Sequence, residues 1–165
     1  MGRSRGGFGS KFHLVTDGNG TPLAIEVTAG QVHESTRFEP LVATFIASRK
    51  HRRRKKPKKL AGDKAYSGRP VSDWLRARGI KPVIPLKENQ SPEGRVKFDR
   101  YTYRRRSVVE QCVGWLKECR RIGTRFEKLA VNFHGMLHLA MISRYLKLLF
   151  SDSLEEIFFC IGCRV

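Results

Sequence analysis

Two runs of alternating apolar and polar residues, KFHLVTD at 11–17 and TPLAIEVTAG at 21–30, flank the short break Gly18-Asn19-Gly20. Alternation with period two makes strands buried on one face, and D-G-N-G supplies the turn chemistry that reverses a chain tightly. The pair reads as a β-hairpin. It is followed by ESTRFEPLVATFIASRK at 34–50, where Phe38, Leu41, Val42, Phe45 and Ile46 form one apolar stripe at helical spacing. Ser35 or Thr36 is the expected cap, with Pro40 in the first turn. From there the pattern alternates. A short strand at 60–63 leads to a helix at 70–79 that Gly79 stops, then a strand at 80–86 and helices at 107–122 and 132–150. Two strands before the first helix and alternation after it predict an α/β fold, a mixed sheet flanked by helices.

Charge narrows the partners. The chain has 33 Lys plus Arg against 15 Asp plus Glu, a net +18 in 165 residues, so its field attracts polyanions, nucleic acid first. Residues 49–59, RKHRRRKKPKK, carry nine of these cations, placed either in a solvated loop or against phosphates. The longest apolar stretch, MLHLAMISRYLKLLF at 136–150, is broken by His138, Arg144 and Lys147 and reads as a core helix. The glycine-rich start has no apolar signal segment, so a cytoplasmic chain with no membrane partner is expected. Cys112 and Cys119, seven apart, are expected on one buried helix face; Cys160 and Cys163 form a lone CxxC, half of a zinc site.

The stretch YTYRRRSVVEQCVGWLKECRR at 101–121 sets one acid, Glu110, among arginines. At a helical period of about 100° per residue, Tyr103, Arg106, Glu110 and Lys117 fall in a row roughly 60° wide, opposite Val108, Val109, Cys112, Trp115, Leu116 and Cys119. Glu110 could simply pair with Arg106 one turn earlier. A second acid, Asp63, ends a short apolar strand, a favoured place for a site in an α/β protein. Two carboxylates from a strand end and a helix can together hold Mg²⁺ or Mn²⁺, hard ions that take oxygen ligands, water and phosphate.

The spacing Tyr103-x2-Arg106-x3-Glu110-x6-Lys117 resembles the Y-R-E-K signature of bacterial insertion-sequence DDE transposases. Residues 2–35, LAGDKAYSGRP at 60–70 and RRIGTRFEKLAVNF at 120–133 resemble the same family, so the likeness covers residues 2–150. It implies an RNase H-like fold with three acids binding two divalent metals, hydrolysis at transposon ends, and attack of the freed 3′-hydroxyl on target DNA. By the resemblance Asp63 is the second acid and Glu110 the third, both catalytic and metal-binding, while Tyr103, Arg106 and Lys117 hold the transposon end.

The resemblance also implies a first strand carrying the first Asp. Only two strands are expected before residue 34, so the sheet is read as lacking its first strand, with GRSRGG as the loop into the second. That strand, its Asp and the DNA-binding helices would come from an upstream reading-frame product; a homodimer is compatible. Asp17 is the substitute first acid, yet D-G-N-G marks it as a turn residue. Glu34, after His33, reads as a helix start and not as a ligand. Residues 151–165, SDSLEEIFFCIGCRV, depart from the family and read as an atypical tail from an altered reading frame. Two expectations follow: a transposase catalytic fragment, incomplete or inactive alone, or a non-catalytic basic DNA-binding remnant.

Overall fold

The hairpin forms where the alternation places it. In the computed structural model, which describes residues 2–4, 7–50, 56–88, 98–149 and 158–164, β2 (Gly7–Asp17) and β3 (Pro22–Ala29) are antiparallel, with Leu14 opposite Ile25 and Phe12 opposite Val27. A third strand also precedes the first helix: β1 (Gly2–Ser4) folds back on residues 7–9. The expected count of two strands is thus corrected. GRSRGG is no plain loop but the start of a small hairpin, a form that glycine-rich segments adopt with little sequence pattern to announce it.

The helix α1 (Glu34–Lys50) has the predicted bounds. Its start differs in detail: the Ser35 N–H donates to His33 Nδ1 and the Thr36 N–H to the His33 carbonyl, so His33 and not Ser35 or Thr36 closes the first turn. Pro40 stands in the helix interior, beyond the first turn. After it come β4 (Lys59–Gly62), a single 3-10 turn at Lys64–Tyr66, α2 (Arg69–Ala77), and β5 (Lys81–Val83), parallel to β4. Gly79 adopts φ +68° just past α2, the left-handed stop that its residue type predicts.

The predicted helix over 107–122 is broken. A short α3 (Arg100–Arg104) runs through two helical residues into α4 (Ser107–Glu118), and Cys119, with ψ 100°, separates α4 from α5 (Arg120–Gly123). No proline or glycine marks the break, which explains why periodicity alone ran through it. Helix α6 (Ala130–Leu149) follows, and β6 (Phe158–Arg164) ends the described chain.

The sheet runs β3-β2-β6-β4-β5, mixed as expected. One face carries α1 and α2 over Val15, Phe38, Leu41, Val42, Phe45, Leu60 and Leu75. The other carries α4, α5 and α6 over Phe12, Leu14, Ala61, Val109, Leu116, Phe133 and Leu137. Cys112 lies in this second core, where burial pushes its thiol up to about 11, while Cys119 is half-buried. The CxxC side chains and residues 51–55 of the basic run lie outside the described ones. Among the described residues no helix is long and apolar enough to cross a membrane.

Candidate active site

Strand β4 is buried through Leu60, Ala61 and Gly62 and then stops, because Asp63 caps the 3-10 turn with its own carboxylate: Oδ1 accepts the Lys64 N–H at 2.6 Å. The second oxygen is left facing α4. There the Arg106 guanidinium stands 3.8 Å from Asp63 Oδ2 through one terminal nitrogen and donates to Glu110 Oε1 at 2.8 Å through the other. The two fork nitrogens are about 2.3 Å apart, so the two carboxylate oxygens lie within about 9 Å of each other, joined by one cation. Asp63 at the strand end and Glu110 on the helix thus face the same guanidinium.

Arg106 is the most enclosed of the three. Its side chain is 18% exposed against 42% for Asp63 and 53% for Glu110, and it packs over the Tyr103 ring, 5.6 Å from its centroid. Tyr103, half-buried, leans on Phe98. Lys117 is exposed two turns beyond Glu110. The row predicted for this helix face therefore exists, but its arginine is turned onto the acids.

Two clamps hold the row in place. Along β4, the Lys59 ammonium donates to Asp99 Oδ2 at 2.7 Å, and Asp99 caps α3 through the Thr102 N–H and hydroxyl. These contacts, the Lys59 one foremost, hold the Asp99 carboxyl well below the usual carboxylate range. At the other end of the same strand stands the Asp63–Arg106 contact. The segment 99–106 is thus pinned beside β4 at both ends. The second clamp is the hairpin tip: Arg105 donates to the Gly18 carbonyl, and a Cβ at Gly20, whose φ is +76°, would stand 3.2 Å from the Val108 carbonyl.

Asp17 sits at that tip, buried, with Oδ1 accepting the N–H groups of Asn19 at 2.9 Å and Thr21 at 2.8 Å. This is the hydrogen-bonding of an aspartate-capped turn. Glu34 opens α1 and pairs with Lys11 at 3.1 Å. Among the described residues no three metal-ligating side chains gather. Asp63 and Glu110 supply hard oxygen donors, the type that Mg²⁺ or Mn²⁺ takes, with the Arg106 guanidinium standing between them.

A family model described as "Transposase DDE domain" matches residues 2–144. The chain belongs to this family. It is 36% identical over 129 residues to the inferred transposase of insertion sequence element IS402 from Burkholderia cepacia, across 77% of this chain and 57% of that protein. It is 28% identical over 141 residues to the corresponding protein of element IS6501 from Brucella ovis, across 84% of this chain and 98% of that one. The chain therefore spans a little over half the length of the IS402 relative. The resemblance carried by the Y-R-E-K row is borne out at the level of this DDE transposase family.

Two positioning residues of this DDE domain escaped the sequence reading. Lys59 lies at the end of the basic run, and Asp99 in the stretch between the strand expected at 80–86 and the helix expected at 107–122. The signal was present: Asp99-Arg-Tyr-Thr102 has the spacing at which a cap side chain meets the third residue of a helix.

Proposed function

We propose that the chain is the catalytic part of an insertion-sequence transposase, an RNase H-like domain that binds transposon ends and target DNA. The observation that carries this reading is the meeting of Asp63 and Glu110 on one cationic group at the end of β4. A guanidinium that bridges both acids, one positive charge against two negative ones, stands where Mg²⁺ or Mn²⁺ would be liganded by the same oxygens. Such an ion, when bound, polarises a phosphodiester and activates water or a 3′-hydroxyl. The chain's own residues do the rest. Asp63 is fixed by its turn, Glu110 by α4, and Arg106, released from the acids, faces the incoming phosphate with Tyr103 and Lys117. The +18 charge supplies sequence-independent affinity for DNA.

With two acids the chain cleaves poorly by itself. The first acid and the helices that recognise the ends come from the upstream reading-frame product, and Asp17 remains a turn residue. Cleavage followed by strand transfer is the reaction of the completed assembly.

A second reading is a non-catalytic basic DNA-binding protein in which the acids are structural. The closed Asp63–Arg106–Glu110 bridge favours it. Nicking of DNA that carries terminal inverted repeats, in Mn²⁺, separates the two. The chain extended by the preceding segment of an IS402-type relative is expected to nick these ends, and Asp63→Asn or Glu110→Gln to abolish nicking while binding persists. Nicking that survives both substitutions, or no nicking by the extended chain, supports the structural reading instead.

A further inference from the structure

Helix α6 carries two histidines one turn apart, His134 and His138. Residues four apart on a helix share a face, so both rings can turn to a common point. They do. The two Nε2 atoms stand 3.1 Å apart, and the rings meet edge to face with centroids 4.5 Å apart. A third polar atom joins them from β3, which among the described strands pairs with β2 alone: the Ile25 carbonyl oxygen lies 3.2 Å from His134 Nε2. A carbonyl oxygen only accepts, so His134 Nε2 carries the hydrogen and donates it to Ile25. His138 Nε2 then turns its lone pair toward the same hydrogen. Three electron-rich atoms thus converge on a single N–H. Burial first, and the neighbouring His134 ring second, lower the His138 pKa, which keeps that ring neutral at pH 7 and its lone pair available.

The spacing suits a metal ion as well as it suits a forked hydrogen bond. Two ligand atoms about 2.05 Å from one ion stand about 3.3 Å apart at the tetrahedral angle and about 2.9 Å apart at a right angle. The observed 3.1 and 3.2 Å fall between these values. We propose that His134 Nε2, His138 Nε2 and the Ile25 carbonyl oxygen form a site for a divalent transition ion of the Zn²⁺, Ni²⁺ or Cu²⁺ class, which ties α6 to β3. Two imidazoles favour these ions over the Mg²⁺ and Mn²⁺ suited to the carboxylates of Asp63 and Glu110. None of the three donors belongs to that pair, and the site stands whether or not the chain is catalytic. The ion replaces the shared hydrogen: the His134 proton passes through solvent from Nε2 to Nδ1, the ring stays neutral, and no net proton is released. His138 is exposed, which leaves the remaining coordination positions to water.

The test titrates Zn²⁺ into the full chain, with Mg²⁺ in excess, and follows imidazole ring signals and backbone amides by nuclear magnetic resonance. The ring signals of His134 and His138 are expected to move together and saturate. The Glu26 amide, whose peptide unit contains the Ile25 carbonyl, should move with them. Loss of an outer-shell partner alone costs a metal site about 10–100-fold in affinity, so His138→Gln, which removes a ligand, should weaken the His134 response by at least about tenfold. The exposed position of His138 leaves the fold intact, which circular dichroism checks. Ring signals unmoved by a large excess of Zn²⁺ overturn the proposal, as does a His134 response that His138→Gln leaves at full strength. Mn²⁺ affinity keeps the two sites apart. It should be the same in His138→Gln as in the wild type; a parallel loss of both ions would put them in one site and contradict the assignment.

Discussion

Arg106 joins the two acids on which the proposed chemistry rests. Each of its contacts is a partly exposed ion pair, worth at most about 1 kcal/mol, so the bridge is an occupant that a divalent cation can displace. Arg106→Gln is accordingly expected to lower stability by no more than about 1 kcal/mol and to strengthen Mn²⁺ binding, because the two carboxylates lose their resident cation. Calorimetric titration of the variant checks both; weaker Mn²⁺ binding would show that the arginine supports the metal. A different residue sets the pH response. His13 is buried in β2 against the Thr28 hydroxyl, and burial, with Lys11 nearby, lowers its pKa to about 4. The unfolded chain binds this proton first as pH falls. The stability it contributes is therefore whole above about pH 6.5 and lost progressively toward pH 4, up to about 3 kcal/mol. Urea unfolding at several pH values measures that slope, and His13→Gln should flatten it.

At the scale of elements, the pattern of residues announced most of what formed. The hairpin, α1, the end of β4 at Asp63 and the Gly79 stop were all legible, because period and turn chemistry are local properties. What was hidden is non-local. Nothing near Cys119 signals the helix break, and the clamp that pins α3 to β4 joins residues forty apart, Lys59 and Asp99. That clamp gives a prediction. Asp99→Ala removes a cap and an ion pair and should cost about 1–2 kcal/mol at neutral pH. Because the folded carboxyl is held acidic, its contribution is full above about pH 4 and fades as pH falls further, so the melting curves of variant and wild type should converge in acid. A constant offset down to low pH would mean that packing, and not the charge, does the holding.

For the molecule as a whole, the sequence showed a basic α/β chain of transposase type, and it showed which two acids to watch. It could not show that the atypical C-terminal residues would supply a strand to the middle of the sheet, since strand pairing between 158–164 and both 11–17 and 60–62 spans nearly the whole chain. The Arg106–Glu110 pair was legible as a one-turn helical contact and forms at 2.8 Å; that the same guanidinium would also stand 3.8 Å from Asp63 was not. All of the functional reading depends on those acids acting as a pair toward one ion. Mn²⁺ affinity measured for the wild type, Asp63→Asn, Glu110→Gln and the double variant tests this directly. Two ligands of a shared ion are coupled, so each single variant should lose nearly all the affinity that the double variant loses. Losses that simply add, or no loss in either single variant, would contradict it.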